Sequence, residues 1–290
     1  MKKFLSLLLI AFVATPMFTF AQDNGLNPRY TVTVSHLAYH APEKPKPTVG
    51  TVFTRIADAA AGVISDINNE AYVPMVRAEI LSAISSVRRL IVVEDAEVAT
   101  DYVIYGEVTN ITANRRVEYR TVKDKQGKER RITDISYSAN VSASLSLKEV
   151  ATGVVLETNV FHGETYFSTF TTIDESIRYS IRRMCSDIAH HYNAAFPVRA
   201  NIVERGEEKK DKQKEVYINV GSGIGVAKNT EFNVATMGTI AGQTTTKIIG
   251  RLKVKEVLGP DISLCKVNKG DKEIKAALDA NQELIIESRE

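Results

Sequence analysis

The chain has 290 residues, with 37 basic and 35 acidic side chains, and its formal net charge at neutral pH is +2. Its apolar fraction of 44% is that of a globular protein and excludes a disordered chain. The balanced charge argues against the basic surface of a nucleic-acid-binding protein.

The first predicted element is a secretory signal peptide. Lys2 and Lys3 precede an almost wholly apolar run over 4–13, and the chain turns polar after Ala21. This layout is typical of an export signal, and the run is too short to span a bilayer. We predict cleavage near Ala21–Gln22 and a periplasmic location; a buried N-terminal helix is the alternative. The mature 269 residues (290 minus 21) would carry no net charge, since the leader removes two lysines and no acid.

Cysteine usage bears on anchoring and on disulfides. A lipoprotein carries a cysteine directly after the cleavage site, where this chain has Gln22. Cys185 and Cys265 lack the spacing of a disulfide framework. We therefore predict no lipid anchor and interpret both cysteines as small buried hydrophobes, with a disulfide between them as the less favoured alternative.

Strand and helix signals alternate up to residue 95. Tyr30 to Leu37 has the period of a strand, and 41–47 is a proline-rich loop. A helical period over 52–67 and a second helix from Pro74 follow, and then a short strand, Leu90 to Val93. The two helical stripes are Val52, Phe53, Ile56, Ala60, Val63, Ile64 and Ile67, and Val76, Ile80, Ile84 and Val87.

The strongest strand signal is a strict two-residue period over 135–148. It predicts an antiparallel strand with a buried apolar face and a solvated face rich in serine. The predicted partner is 102–122, joined by a charged hairpin tip at 123–128, and the turn 151–153 leads to a third strand, 154–161. The apolar positions are Ile135, Tyr137, Ala139, Val141, Ala143, Leu145 and Leu147.

A long amphipathic helix is predicted next. Thr172 and Glu175 fit a capping box at its start, and it stops before Pro197. The helix would cover the apolar face of the strands, so residues 22–197 are predicted to form an α/β sandwich whose mostly antiparallel sheet is covered by helices. Its apolar stripe is Ile177, Ile181, Met184, Ile188, Tyr192 and Ala195.

Residues 198–290 predict a small β-barrel-like domain. The segment 198–214, with its mixed-charge run 205–212, is interpreted as a linker or a mobile hairpin tip. Short strands with glycine-rich turns follow, and 272–278 has a helical pattern. The chain is therefore predicted to be an α+β protein of two domains. The predicted strands are 215–220, 230–235, 247–257, 261–267 and 283–287.

Several features occur together in the first predicted domain: the helix and short strand over 84–95, the strand opening at 100–106, the turn 151–153 and the helix 173–196. With them, residues 48–197 resemble the CsgG/TolB-N-like family of envelope proteins. That family includes the curli secretion subunit and the lipoprotein activators of penicillin-binding proteins.

The second predicted domain has a glycine-rich turn at 219–226, a strand start at 230–232 and the strand 249–254. With these features, residues 198–288 resemble the C-terminal domain of the flagellar assembly protein FlgT. The two resemblances together imply non-enzymatic work in envelope assembly.

The curli resemblance raises the alternative of a subunit of a CsgG-type outer-membrane secretion complex. Such a channel needs membrane-crossing hairpins, and each Arg or Lys at the midplane costs about 2–4 kcal/mol. We therefore predict that the chain does not form a pore by itself, while peripheral membrane association stays open. The candidate hairpin carries Arg115, Arg116, Glu118, Arg120, Lys123, Lys125, Lys128, Arg130 and Arg131.

We find no motif that indicates catalysis, a cofactor or a metal. The spacing of Gly221, Gly223 and Gly225 is not that of a dinucleotide loop, and a β-turn is the preferred interpretation. His190 and His191 would project about 100° apart on a helix and could not easily share a metal. We predict no catalytic, cofactor-binding or metal-binding residues and no enzyme; a periplasmic hydrolase in an unfamiliar fold is a less favoured alternative.

The polar side of strand 135–148 carries the one predicted site: Ser138, Asn140, Ser142 and Ser144. A plain solvated sheet face is one interpretation. The other is a partner surface, because small side chains permit close approach of another backbone or a glycan, here or along an exposed strand edge. We predict a non-catalytic periplasmic assembly or scaffold protein that binds envelope proteins or further copies of itself, and not nucleic acid.

Overall fold

A computed structural model of the chain describes residues 25–39, 62–64, 67–95, 98–125, 127–165, 170–240 and 243–289. These residues form two sheets and three α-helices, which confirms the predicted α+β class. The predicted signal peptide, the proline-rich loop and residues 52–61 of the first predicted helix lie outside the described residues.

The first sheet is mixed. Its strands are β1 (Tyr30–Tyr39), β2 (Val63–Ile64), β3 (Leu90–Val92), β4 (Tyr102–Lys123), β5 (Glu129–Glu149) and β6 (Val155–Glu164). Their order is β3-β1-β4-β5-β6, with β2 paired to β4. The predicted antiparallel meander β4-β5-β6 is confirmed, and β1 lies parallel to both of its neighbours.

Two helices pack in the core of this sheet: α1 (Val73–Ser85), with a proline in its first turn, and α2 (Ile173–Ala195). The Thr172 hydroxyl accepts the Glu175 N–H at 3.2 Å, as the capping box predicts, but the Glu175 carboxylate accepts from Thr171 and not from Thr172. Ala195, predicted in the apolar stripe, is exposed. The fully buried stripe residues are Val76, Ile80, Ile84, Ile177, Ile181, Met184, Ile188 and Tyr192.

The prediction of one helix over 52–67 is wrong at Val63 and Ile64, which form β2 against β4. Gly62 precedes them with a φ of 76°, a conformation that favours glycine. Its carbonyl accepts the Arg115 N–H at 2.7 Å, and a Cβ on Gly62 would overlap the Arg115 carbonyl. The tight turn at Gly62 therefore brings the chain onto β4.

The second sheet is antiparallel, with the order β7-β13-β10-β11-β12-β9-β8. Its elements are β7 (Arg199–Ala200), β8 (Ile202–Arg205), β9 (Glu215–Ile218), β10 (Glu231–Ile240), β11 (Gln243–Val257), β12 (Ser263–Lys269), α3 (Asp271–Asp279) and β13 (Leu284–Arg289). The two outermost strands, β7 and β8, are separated by Asn201 alone, so one stretch of chain nearly closes the sheet into a barrel.

The interpretation of 198–214 as a linker is wrong, because residues 199–205 pair with β13 on one side and with β9 on the other. The charged residues that follow are tied to α3. Arg205 bonds the Asp279 carboxylate at 2.6 Å, and Lys214 bonds Asp271 at 2.7 Å. These hydrogen bonds lower the pKa of both carboxyl groups.

The buried apolar side chains form two clusters, and the chain passes from one to the other between Phe196 and Val198. This division supports the predicted domain boundary, which stays a prediction. Arg89, only 6% exposed, lies at the junction and donates hydrogen bonds to the carbonyls of Pro28 and Pro197 at 3.2 and 3.0 Å.

Candidate partner-binding surface

The serine side of β5 faces away from the helices. The odd positions of β5 from Ala139 to Leu147 lie in the core with α1 and α2, so the even positions lie on the opposite face of the sheet. We call this the outer face of the first sheet. It comprises Tyr105, Glu107, Asn110 and Thr112 of β4, Ser138, Asn140, Ser142, Ser144, Ser146 and Lys148 of β5, and Thr158, Val160, His162 and Glu164 of β6.

The polar groups of the outer face bond one another across the strands. The Asn140 amide donates to the Glu164 carboxylate at 2.9 Å. The Ser142 hydroxyl lies 2.8 Å from Nδ1 of His162. Ser146 and Thr158 share a hydroxyl contact of 2.7 Å. The structure thus places the predicted surface on one face and joins part of it to β6.

The expectation that the whole serine face is solvated is wrong at Ser142 and Ser146, which are 5% and 9% exposed. Both serines lie in a central strand, and the longer side chains of β4 and β6 flank them. Ser138, Asn140 and Ser144 are half-buried. The surface open to a partner is therefore shallow.

Exposed apolar side chains border the serines, and they were not predicted from the sequence. Val155, Leu156 and Val160 of β6 are about half exposed. A depression of about 470 Å³ lies beside the turn that joins β5 to β6. The one signal for this patch is the run 154–156, where three successive apolar residues break the two-residue period. The depression is lined by Val103, Tyr105, Lys148, Val150, Gly153 and Val155.

β6 is an edge strand, because it pairs with β5 and with no other strand of the described residues. It has ten residues and contains neither proline nor lysine. α2 lies directly on its inner side: a Cβ on Gly163 would overlap the Ser180 carbonyl. On the same side, Nε2 of His191 contacts the Glu157 carboxylate at 2.9 Å. Among the described residues, the backbone groups on the free edge of β6 therefore have no strand partner.

The hairpin of β4 and β5 continues beyond the core as a two-stranded ribbon, residues 115–136. All but a few of its side chains are exposed. Arg116 pairs with Glu118 at 2.7 Å, and the Arg131 guanidinium lies over the Tyr119 ring. The ribbon carries an excess of positive charge: Arg115, Arg116, Arg120, Lys123, Lys125, Lys128, Arg130 and Arg131 against Glu118, Asp124, Glu129 and Asp134.

The glycine-rich segment at 221–225 forms a turn, as preferred from the sequence. Ser222–Ile224 is a single 3-10 turn, and Gly225 ends it with a φ of 73°. A Cβ on Gly221 would overlap the Gly259 carbonyl. Glycine is required here by backbone conformation and by close packing.

The two cysteines are buried structural residues. Cys185 and Cys265 are buried, as predicted, and both are free; burial raises the pKa of each thiol to about 12. Within the described residues, no three metal-ligating side chains form a cluster. In that same part of the chain, no helix has the length and apolarity that a membrane span requires.

No protein-family model and no curated protein matches the chain. Similar solved structures include a dodecameric PelC variant from Paraburkholderia phytofirmans, with 13% identity and a TM-score of 0.27 over 56% of this chain and 88% of that one. A DUF330 protein from Xanthomonas campestris has 9% identity and a TM-score of 0.32 over 57% and 82%. A neuraminyllactose-binding hemagglutinin homologue from Helicobacter pylori has 12% identity and a TM-score of 0.25 over 58% and 87%. At such values, none of them defines what this chain does.

Proposed function

We propose that the protein is a non-catalytic assembly or scaffold protein of the periplasm, which acts through protein–protein contacts on the outer face of its first sheet. The observation that carries this proposal is the combination of half-buried small side chains with the exposed apolar residues Tyr105, Val155 and Val160 beside them. Apolar patches rimmed by polar groups mark interaction sites.

The hydrogen bonding of this face favours burial by a partner. Asn140, Ser142 and Ser146 already have side-chain partners within the sheet. A protein that covers these groups would leave few of them without a hydrogen-bond partner. The free energy of binding is therefore not reduced by buried unpaired polar groups. The predicted signal peptide is the basis for proposing a periplasmic location.

Cross-linking in intact cells tests this function. A photoreactive residue at position 105 should capture one reproducible envelope protein, and cell fractionation should place the chain in the periplasm. Ser144→Lys should abolish the capture, since a long charged side chain would stand in the contact. Ser186→Lys, on an exposed position of α2, is the matched control and should leave it intact. Capture that survives Ser144→Lys, or a cytoplasmic chain, would overturn the proposal.

The ribbon favours one second candidate, a subunit of an outer-membrane secretion complex of the CsgG type. It reaches well beyond the core, as a membrane-directed hairpin would, but it carries charged side chains on both faces, such as Arg116 and Arg131. Light scattering in detergent and in buffer separates the candidates. A ring of many copies in detergent supports the secretion complex, and one or two copies in both solutions contradict it.

A further inference from the structure

We infer that the free edge of β6 pairs in antiparallel orientation with β6 of a second copy of this chain, across a two-fold axis at Val160. The first sheets of the two copies would then form one continuous sheet. The inference rests on the proposed function, because it names a second copy as one partner of the surface described above.

The edge itself is the first argument. Soluble proteins protect long edge strands with proline, with charged side chains or with a covering element. β6 has neither proline nor lysine, and its two carboxylates are engaged within the same chain, Glu157 with His191 and Glu164 with Asn140. Its outward side chain Val160 is half exposed. From 157 to 164 its pairing with β5 is regular, so its free side presents an even row of backbone groups.

The topology selects a second copy and a closed pair. The opposite edge of the first sheet is β3, which has three residues. The other long free edges of the described residues are 243–250 of β11, which pairs only with β10, and the two strands of the ribbon, which carry many charged side chains. β6 is the longest free edge within the core of the first sheet, and pairing like with like uses both edges at once and stops at two copies.

The side chains of β6 are compatible with this axis. Val160 would lie opposite the partner's Val160, and both side chains would lose exposed apolar surface. Thr158 would lie against the partner's His162. On the inner side, Glu157 would lie opposite a glycine, so no two like charges face each other across the axis.

Single cysteines test both the contact and its register. Residues directly opposite in antiparallel strands have Cα atoms about 4.5–5.5 Å apart, within the range of a disulfide. Val160→Cys should give a covalent dimer under mild oxidation. Thr158→Cys should not, except when it is mixed with His162→Cys. The native thiols should not contribute, because both are buried and their pKa values are about 12.

A charge at the axis tests the strength of the contact. Light scattering should show two copies of the unmodified chain at micromolar concentration and one copy of Val160→Lys. Val203→Lys, at an equally exposed valine of β8, is the matched control and should stay a dimer. A monomeric unmodified chain, or a covalent dimer that forms equally well at positions 158 and 160, overturns the inference. A monomer that still captures an envelope protein at position 105 overturns the pairing alone and leaves the proposed function standing.

Discussion

The two sheets of this protein differ in how their edge strands are arranged. The second sheet ends in β7 and β8, which one continuous stretch of chain supplies, so its edges nearly meet. The first sheet stays open, with the free edge of β6 on one side and the ribbon projecting at one end. A closed sheet offers few backbone groups to other proteins, whereas an open one offers a template for strand pairing. Contacts with partners are therefore expected on the first sheet.

The largest expected effect comes from separating α2 from the open sheet. Gly163→Ala would place a Cβ on the Ser180 carbonyl, so helix and strand must move apart. We expect the free energy of unfolding to fall by about 3 kcal/mol, the upper range for overpacking. Urea unfolding followed by circular dichroism measures it. Gly238→Ala is the control, because its Cβ would lie 3.8 Å from the Thr245 hydroxyl, and an equal loss there would contradict this account.

A smaller effect is expected from a buried hydrogen bond of the closed sheet. Ser263 is fully buried, and its hydroxyl donates to the Val220 carbonyl at 2.8 Å. Ser263→Ala leaves that carbonyl without its partner, and we expect a loss of about 1–2 kcal/mol. The same urea titration applies. Ser222 has an exposed and longer hydrogen bond of 3.4 Å, so Ser222→Ala should hardly change the free energy of unfolding. A comparable loss in Ser222→Ala would show that burial of the Ser263 hydrogen bond does not add to stability.

A still smaller effect is expected from the ion pairs that hold the charged run to α3. The Arg205 hydrogen bond lowers the pKa of Asp279 below its usual 3.8. A carboxyl group with a lowered folded pKa stabilises the fold above its unfolded pKa and loses that contribution as the pH falls through the folded value.

Stability measured from pH 6 down to pH 2 should therefore decline in the unmodified chain, and part of that decline should be absent in Arg205→Ala. Added salt should shrink the difference, since exposed pairs are screened. Arg130→Ala in the ribbon is the control. Identical pH profiles for Arg205→Ala and the unmodified chain would show that the pair does not contribute.

The two cysteines, one in each sheet's core, compare the two regions without changing stability. Both thiols should resist alkylation at pH 8 in the folded protein, because their pKa is about 12 and they are buried, and both should react in denaturant. Mass spectrometry counts the modified sites. Fast labelling of Cys185 alone would show that α2 opens locally while the closed sheet stays folded.

Long periodic segments could be predicted because their pattern is local. The alternation in β5 and the stripe of α2 each repeat often enough to identify a strand and a helix without tertiary information. The two-residue strand β2 could not be predicted. Val63 and Ile64 fit a helical stripe equally well, and β2 exists only because the turn at Gly62 brings it to β4.

Features set by distant neighbours were also beyond the sequence. The position of β1 between β3 and β4, parallel to both, depends on contacts far apart in the chain. The burial of Ser142 depends on the length of the side chains on adjacent strands, which the period of β5 alone does not show. Within the candidate site, the predicted residues do share one face, but the apolar border around Val160 emerged from the structure.

The first and last residues of the segment that forms the nearly closed second sheet lie side by side. Val198 and Ser288 exchange two hydrogen bonds, from the Ser288 N–H to the Val198 carbonyl at 2.8 Å and from the Val198 N–H to the Ser288 hydroxyl at 2.9 Å. A unit whose ends touch can be spliced into a host loop without stretching it. The two ends of residues 198–288 thus lie close enough for the segment to be inserted into a loop of another protein, once its hydrogen bonds to Asn27 and Arg29 are given up.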